Sequence, residues 1–445
     1  MWLFLTDFGY IPIPHAFNFA RNGNNRIKDM KKTVLMFAAL VALMASCVKE
    51  ESMQELTDRV FAVAQTHALS MASCLGENDT PKTFVDGKFV VAAPEWWCSG
   101  FFPGVLWQIY DYAPNEEIRK IAERETAKVE HIKYVTDHHD VGFQINCSYG
   151  HQYRLTGDAH ALEVLRTAAQ SLTGAFTEEV GCIKSWPFQR EGFSWVYPVI
   201  IDNMMNLELL MFIGNMDDNA YLRHVAVSHA DKTMQNHFRE DFTTPHLVDY
   251  DPQTGEVIKK ITVQGLADSS AWARGQAWAL YGYTMMYQQT GKIEYLHLAQ
   301  NVGDMIISHL PEDAIPYWDF NCPNIPDTYR DASAGAVMAS AYIALSTVAD
   351  NGKDYLSVAE RQLRTLASDE YLAKPGENGN FILKHSVGSL PDNSEVDVPL
   401  TYADYYFLEA LLRYRNLTKK FLIHETEYKD LHILHFNHRP VLLSE

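Results

Sequence analysis

Apolar residues recur along most of this chain at positions i, i+3, i+4 and i+7, the spacing of an amphipathic α-helix. The segments that begin at Tyr153 (YRLTGDAHALEVLRTAAQSL) and Tyr287 (YQQTGKIEYLHLAQNVGDMII) share one pattern, in which a helix ends, a polar turn with Gly follows, and a new helix begins. Looser copies begin at Tyr112, Ile213 and Val348. This self-similarity predicts stacked helical hairpins. Because the copies are unevenly spaced, the pattern favours an α/α toroid with long loops over a regular solenoid.

The one clear β signal is HLVDYDPQTGEVIKKITV from His246, two alternating runs around a turn, which predicts a small hairpin. Three other segments are loops dense in Trp, Phe, Tyr, Gly and Pro, at 95–107, 185–198 and 315–324. Exposed aromatic side chains are costly unless they stack on something. Sugar rings offer apolar C–H faces, so a carbohydrate cleft is the first functional hypothesis. The alternative is that these aromatics seal gaps between hairpins, which is weaker for three clusters than for one.

The composition fits one large folded domain. The chain has 445 residues, 47% of them hydrophobic, and no Gly/Ser/Pro-rich linker divides it. Its formal net charge of −19 argues against a nucleic-acid binder, which needs a basic face. The same charge means that an anionic substrate has to be attracted by a local cationic or donor-rich pocket.

The N-terminal region predicts export. From Met30 the chain reads MKKTVLMFAALVALMASC, with two lysines, a short apolar stretch and small residues, so residues 30–46 are interpreted as a signal peptide. Cys47 follows directly and resembles the lipidated first residue of a bacterial lipoprotein. We therefore expect a periplasmic protein or an outer-membrane-anchored lipoprotein, and soluble periplasmic release remains the alternative. Residues 1–29 are interpreted as a wrongly assigned upstream start.

Three patterns that can signal metal sites are weak here. The six cysteines include no C-x-x-C pair, which favours buried cysteines acting as small apolar residues. The adjacent side chains of His138, His139 and Asp140 rarely all face one ion. Asp249 and Asp251 lie in a segment that lacks the full ligand series of a calcium loop, so a hairpin turn is the better interpretation.

Two aspartates lie in segments suited to chemistry. Asp140 precedes Gly142, whose missing side chain would let the backbone approach a ligand. Asp202 lies in YPVIIDNMMNLELLMF, where apolar residues on both sides predict that its carboxyl group is buried. A buried carboxylate needs hydrogen-bond donors or becomes a proton carrier with a raised pKa. Helix capping is the simpler interpretation for either Asp alone.

Arg274 lies in QGLADSSAWARGQAWALYGYTMMY, four residues before Trp278, so the two side chains share one face of a helix. An arginine within an apolar, aromatic helix must pair with an anion. A carboxylate-bearing ligand and an internal aspartate both satisfy that need, and the sequence leaves the choice open.

Taken together, these segments resemble the unsaturated glucuronyl hydrolases, glycoside hydrolase family 88. The resemblance covers residues 53–418, and the atypical tail at 421–445 receives no role. The motifs occur in family order: GFFPGVLW, HDVGF, IDNMMNLELL, HLVDYDPQTG, QGLADSSAWARGQAW and NSEVDVPLTYADYYFLEALLR.

The resemblance implies an all-α fold, an (α/α)6 barrel with long aromatic-rich loops and a small β-hairpin, and no metal or organic cofactor. It makes Asp202 the general acid/base and Asp140 its partner carboxylate. Arg274 is the expected contact of the substrate carboxylate or of nearby hydroxyls. Trp186 and Trp278 are expected to stack on the sugar or to set the shape of the site. The positions that match the family's uronate subsite are His139, Trp186, His246, Gln264, Arg274 and Trp278.

The resemblance further implies an unusual hydrolysis. The expected substrates are unsaturated glycosaminoglycan di- and oligosaccharides left by polysaccharide lyases, and the chemistry is hydration of the C4=C5 enol ether of the terminal uronate. Asp202 must then be protonated near neutral pH, and burial together with the charge of Asp140 is expected to favour this.

Two alternatives remain open. Unsaturated rhamnogalacturonyl hydrolases share the fold and chemistry, but there we expect Asn-Gly in place of Gln276-Ala277. A non-catalytic helical glycan-binding lipoprotein would also be exported, acidic and rich in aromatics. The loop from Lys384 to Ser389 is a candidate contact for a substrate sulfate, although such residues are ordinarily just solvated.

Overall fold

The computed structural model of this chain describes residues 50–427. The predicted signal peptide at 30–46, Cys47, the upstream segment 1–29 and residues 428–445 of the tail lie outside the described residues. The last helix continues to Glu427, past the predicted domain end at 418, so residues 421–427 are helical. Between residues 50 and 427, no helix combines the length and the apolar character needed to cross a membrane.

Helices dominate the described residues. In chain order they are α1 (Met53–Cys74), α2 (Phe101–Tyr112), α3 (Glu116–Ala127), α4 (Val141–Ile145), α5 (His151–Thr156), α6 (Ala159–Leu172), α7 (Asn203–Met216), α8 (Ala220–Asn236), α9 (Ala273–Thr290), α10 (Ile293–His309), α11 (Ala332–Ser346), α12 (Gly352–Leu366) and α13 (Thr401–Glu427). A π-helical turn at Asn146–Gly150 joins α4 to α5, and the two act as one element.

Helices that are buried on all sides alternate with helices that bury one stripe. In α9 every residue from Ala273 to Met286 is buried, and α11 is buried in the same way. By contrast, α12 buries a stripe that includes Tyr355, Val358 and Leu366 and exposes its other face. A helix that is apolar all round belongs inside, and one with a single apolar stripe belongs outside. The inner set is α2, the α4–α5 pair, α7, α9, α11 and α13.

The inner helices of the described part of the chain form a closed ring. α2 packs on the π-helical turn, α4 on α7, α7 on α9, α9 on α11, α11 on α13, and α13 returns to α2. The outer helices α3, α8, α10 and α12 pack on inner helices that adjoin them in the chain. The predicted (α/α)6 barrel is therefore confirmed.

The predicted helical hairpins have the predicted turns. Gly157 ends α5 at φ 69° and Gly291 ends α9 at φ 72°, the left-handed conformation that favours glycine at a helix end. After Gly157, the Asp158 side chain accepts a hydrogen bond from the backbone N–H of His160 and begins α6. Each of these turns reverses the chain from an inner helix to an outer one.

The strands form small antiparallel sheets. They are β1 (Thr80–Val85), β2 (Lys88–Ala92), β3 (Phe176–Thr177), β4 (Cys182–Ile183), β5 (Tyr197–Ile200), β6 (Leu247–Tyr250), β7 (Val257–Ile261), β8 (Ser386–Ser389) and β9 (Ser394–Val398). The predicted hairpin from His246 is β6–β7, with Leu247 opposite Ile261, and β5 adds a third strand. The pairs β1–β2, β3–β4 and β8–β9 were not predicted. In the β6–β7 turn, Asp251 accepts hydrogen bonds from the N–H groups of Gln253 and Thr254, which confirms the hairpin interpretation.

Gly142 serves a different purpose from the expected one. A Cβ atom on Gly142 would lie 2.7 Å from the Cα of Asn206, so the missing side chain lets α4 approach α7. The backbone N–H of Phe143 donates to the Asn206 side chain at 2.7 Å across the same contact. The expected close approach to a ligand is therefore wrong: Gly142 brings two helices together, and with them the aspartates that precede each helix.

Candidate active site

Asp140 and Asp202 occupy equivalent places, each directly before an inner helix, α4 and α7 respectively. Their side chains are 16% and 12% exposed. Among the described residues, neither carboxyl group accepts a capping hydrogen bond from its own helix. The capping interpretation is therefore wrong for both, and the two carboxyl groups remain available for chemistry.

Burial raises the pKa of both carboxyl groups. It raises the pKa of Asp202 to about 7, against the charge of Arg274, which lowers it. It raises the pKa of Asp140 to about 8, and the negative charge of Asp202 adds to that rise. Burial, one of the two expected causes, is the largest cause for Asp202, and the charge of Asp140 is not among the causes of its raised pKa. Two such groups titrate as a pair, which carries at least one proton near neutral pH.

His246 lies beside the Asp202 carboxyl group. Its Nδ1 accepts hydrogen bonds from the backbone N–H groups of Val263 at 3.2 Å and Gln264 at 3.3 Å. Burial lowers the pKa of His246 to about 3, so the ring is neutral and its proton lies on Nε2. Nε2 lies 3.6 Å from Oδ2 of Asp202. This distance is longer than a hydrogen bond, so the neutral ring lies beside the carboxyl group without holding its proton.

His139 lies beside the Asp140 carboxyl group. Its Nε2 lies 3.3 Å from Oδ1 of Asp140, and burial holds the pKa of this imidazole well below its usual range. The ring is therefore neutral beside the Asp140 carboxyl group. The amide nitrogen of the neighbouring Asn203 donates to the carbonyl of Ile183 at 2.8 Å.

Arg274 pairs with an internal aspartate, one of the two partners left open by the sequence. The side chain is buried, and Nη1 lies 3.1 Å from Oδ2 of Asp331. Nη1 also donates to the carbonyl of Val387, and Nη2 donates to the carbonyl of Gly388 at 2.6 Å. The predicted contact of Arg274 with a substrate carboxylate stays a prediction, and the buried guanidinium places a positive charge near Asp202. Sequence reasoning missed Asp331, which also caps α11.

Aromatic side chains line the floor and one wall of the site. The Trp278 ring is fully buried, 5.6 Å from the Phe143 ring, and lies close enough to Asp202 to lower the pKa of that carboxyl group against the effect of burial. On the wall, Trp186 lies 5.8 Å from the His246 ring. Gln264 is partly buried beside His246. The structure thus brings all eight predicted site residues into one region around Asp202.

Both ends of the candidate sulfate loop are hydrogen-bonded to other protein groups. Lys384 donates to the carbonyl of Asp369 at 2.8 Å and is engaged there. Ser389 donates to Asp392 within the β8–β9 turn.

In the part of the chain that the structure describes, no cluster of three or more His, Cys, Asp or Glu side chains is arranged to hold a metal ion.

The raised pKa of Asp140 gives a prediction about stability. A carboxyl group whose pKa is higher in the folded state binds its proton more tightly there than in the unfolded state. The folded state therefore loses stability relative to the unfolded state as the pH rises from about 4 to about 8. Replacing Asp140 by Asn removes that loss. We expect the free energy of unfolding of Asp140→Asn, relative to the wild type, to increase by at least about 1 kcal/mol between pH 5 and pH 9. Urea denaturation at both pH values measures it, and a constant difference would contradict it.

Comparisons with known proteins find similar chains over most of the length of this one. A family model described as Glycosyl Hydrolase Family 88 matches residues 77–428. An unsaturated glucuronyl hydrolase of Formosa agariphila is 42% identical over 351 residues, covering 78% of this chain and 87% of that protein. An unsaturated chondroitin disaccharide hydrolase of Streptococcus agalactiae is 33% identical, covering 76% of this chain and 86% of that protein. The crystal structure of an unsaturated glucuronyl hydrolase specific for heparin has a TM-score of 0.80 and 45% identity, covering 82% of this chain and 98% of that one.

Proposed function

This chain belongs to glycoside hydrolase family 88, and we propose that it releases the terminal 4,5-unsaturated uronic acid from glycosaminoglycan oligosaccharides made by polysaccharide lyases. The observation that carries the proposal is the state of Asp202. This carboxyl group is buried, has a pKa raised to about 7, and lies 3.6 Å from Nε2 of the neutral His246 ring. Such a group supplies a proton near neutral pH and takes one back.

The enol ether of the substrate suits that donor. Asp202 transfers its proton to C4, the π electrons of C4=C5 form the new C–H bond, and the cation at C5 is stabilised by the ring oxygen. Water adds its oxygen to C5 and gives a proton to the Asp202 carboxylate, which restores the acid. The net addition is one water molecule. The hemiketal at C5 then opens, and C1, now a hemiacetal, releases the adjoining sugar.

The site attracts an anion although the whole chain is acidic. Asp140, Asp202 and Asp331 stand at the N-termini of α4, α7 and α11, so the positive ends of these helices converge there. The buried guanidinium of Arg274 adds a full charge. A uronate carboxylate is an anion of the right size for this field. The glycan-binding alternative explains neither the raised pKa values nor the paired carboxyl groups.

Glycosaminoglycan fragments are preferred over rhamnogalacturonan fragments as substrates. The relatives cited above are named for glucuronyl, chondroitin and heparin substrates. Gln276, the residue that distinguishes the two groups in sequence, is buried and exchanges hydrogen bonds with the backbone of Thr244. It therefore shapes the wall behind the site and does not touch the sugar.

A direct assay tests the proposal. Adding the purified protein to lyase-made disaccharides is expected to remove the ultraviolet absorbance of the C4=C5 enol ether. Running the reaction in D2O is expected to place deuterium at C4 of the first-formed product, because the proton comes from exchangeable Asp202. Absorbance that stays constant with chondroitin, hyaluronan and heparin disaccharides would reject the function; loss of absorbance without deuterium at C4 would reject only the hydration step.

We also propose that the protein acts outside the cytoplasm, in the periplasm or anchored to the outer membrane by lipid on Cys47. The signal-like segment 30–46 supports this proposal. Metabolic labelling with a fatty-acid analogue tests the anchor, and Cys47→Ser is expected to abolish the label.

A further inference from the structure

An aromatic wall leads outward from the reacting carboxyl group. His246 contacts Asp202, Trp186 contacts His246 edge-on, and Phe188 stacks on Trp186 at 5.7 Å with an interplanar angle of 20°. Phe188 is 50% exposed. If the unsaturated uronate occupies the proposed position at Asp202, the sugar that it leaves lies along this wall. The inference below rests on that proposed function.

Arg190 follows Phe188 on the same loop and spans the entrance. Its guanidinium lies 2.6 Å from Oδ1 of Asp392, in the turn between β8 and β9 on the opposite side. The two side chains are 29% and 31% exposed. The charge of Arg190 also reaches the site, because it contributes to the lowered pKa of His246. A cation therefore stands at the outer end of the aromatic wall.

Arg190 is held much less firmly than the other arginine of the site. Arg274 is buried, lies between the Trp272 and Tyr402 rings at 4.5 and 5.2 Å, and donates to Asp331 and two carbonyls. Arg190 is partly hydrated and pairs with an equally hydrated carboxylate. Such an ion pair contributes little to folding and exchanges readily for another anion. The Arg190 guanidinium is therefore free to exchange its partner for a ligand anion, whereas the Arg274 guanidinium is already engaged by protein groups.

We propose that Arg190 binds a sulfate ester on the hexosamine next to the unsaturated uronate, and that Asp392 occupies Arg190 until the sulfate displaces it. An arginine offers paired N–H donors that fit sulfate oxygens. Ser389, which donates to Asp392, is freed by the same exchange and adds a hydroxyl donor on that side. The proposal makes Arg190 a specificity residue and Asp392 its internal competitor.

The test compares two variants on a matched pair of unsaturated disaccharides that differ only in one sulfate on the hexosamine. For Arg190→Gln, we expect the ratio of kcat/KM values, sulfated to unsulfated, to fall about tenfold, through KM of the sulfated substrate. For Asp392→Asn, we expect that ratio to rise, because the competitor is neutral. The Arg190→Gln effect is expected to shrink at high salt.

The outcomes separate this inference from the proposed function. Turnover of neither disaccharide by the wild type would reject both. Turnover of the unsulfated one with an unchanged ratio in Arg190→Gln, or equal losses on both substrates, would overturn the role of Arg190 and leave the function intact. A ratio that fails to rise in Asp392→Asn would overturn the competition.

Discussion

Replacing Asp202 by Asn is expected to abolish turnover while the substrate still binds. The change keeps the volume of the side chain and its neighbours His246 and Trp278, but an amide neither gives a proton to C4 nor takes one from water. General acid–base groups contribute about 10²- to 10⁴-fold, and this one acts in both steps, so we expect kcat to fall at least about 10³-fold. Loss of enol-ether absorbance measures turnover, and calorimetry measures disaccharide binding.

Asp404→Asn is the matched control for this experiment. Asp404 is also a buried carboxyl group, in the first turn of the inner helix α13, and burial raises its pKa to about 7. It accepts hydrogen bonds from the backbone N–H groups of Ile382 and Leu383 at 2.9 and 2.8 Å, so its role is structural. We expect this variant to lose stability and keep kcat within a few-fold. Appreciable turnover by Asp202→Asn, with binding unchanged, would remove Asp202 from the chemistry.

The helical part of the fold was predictable because its signals are local. Gly157 and Gly291 mark helix ends, and the apolar spacing on either side marks the helices. The three short hairpins outside the β6–β7 pair were missed for a physical reason. In β9, Glu395 and Asp397 have positive φ values of 56°, so the strand is irregular, and its short sequence, SEVDV, buries only Val398. The position of β9 depends on its pairing with β8 and on the residues that it covers, and neither can be seen in the sequence of the strand itself.

The predicted site residues came from motifs, whereas their partners depend on contacts that are distant in the chain. Asp331 lies 57 positions after Arg274, and before the structure it reads as an ordinary helix cap. Arg190 and Asp392 belong to loops about two hundred residues apart. The sequence predicts that a buried arginine needs an anion, but only the closed ring of helices decides which anion lies near it.

The pairing of Arg274 with Asp331 predicts a large loss of stability in Arg274→Met. Both side chains are buried, at 2% and 0% exposure, so the substitution leaves a buried carboxylate without its cation, hydrogen-bonded, among the described residues, only to Ser333 and to the N–H of Val387. It also removes the donors for the carbonyls of Val387 and Gly388. Breaking a buried ion pair from one side costs about 3–5 kcal/mol, and we expect a loss of free energy of unfolding in that range. Denaturation in urea measures it.

The double variant Arg274→Met/Asp331→Asn distinguishes two roles of Arg274: stabilising the fold and the charge near Asp202, or contacting the substrate directly. An asparagine keeps the cap of α11 and carries no charge, so part of the lost stability is expected to return. Because the Arg274 charge lowers the pKa of Asp202, both variants are expected to keep Asp202 protonated to a higher pH, which moves the alkaline limb of kcat/KM upward. A KM that rises about a hundredfold in the single and the double variant alike, with no shift of that limb, would instead make Arg274 a direct contact of the substrate carboxylate.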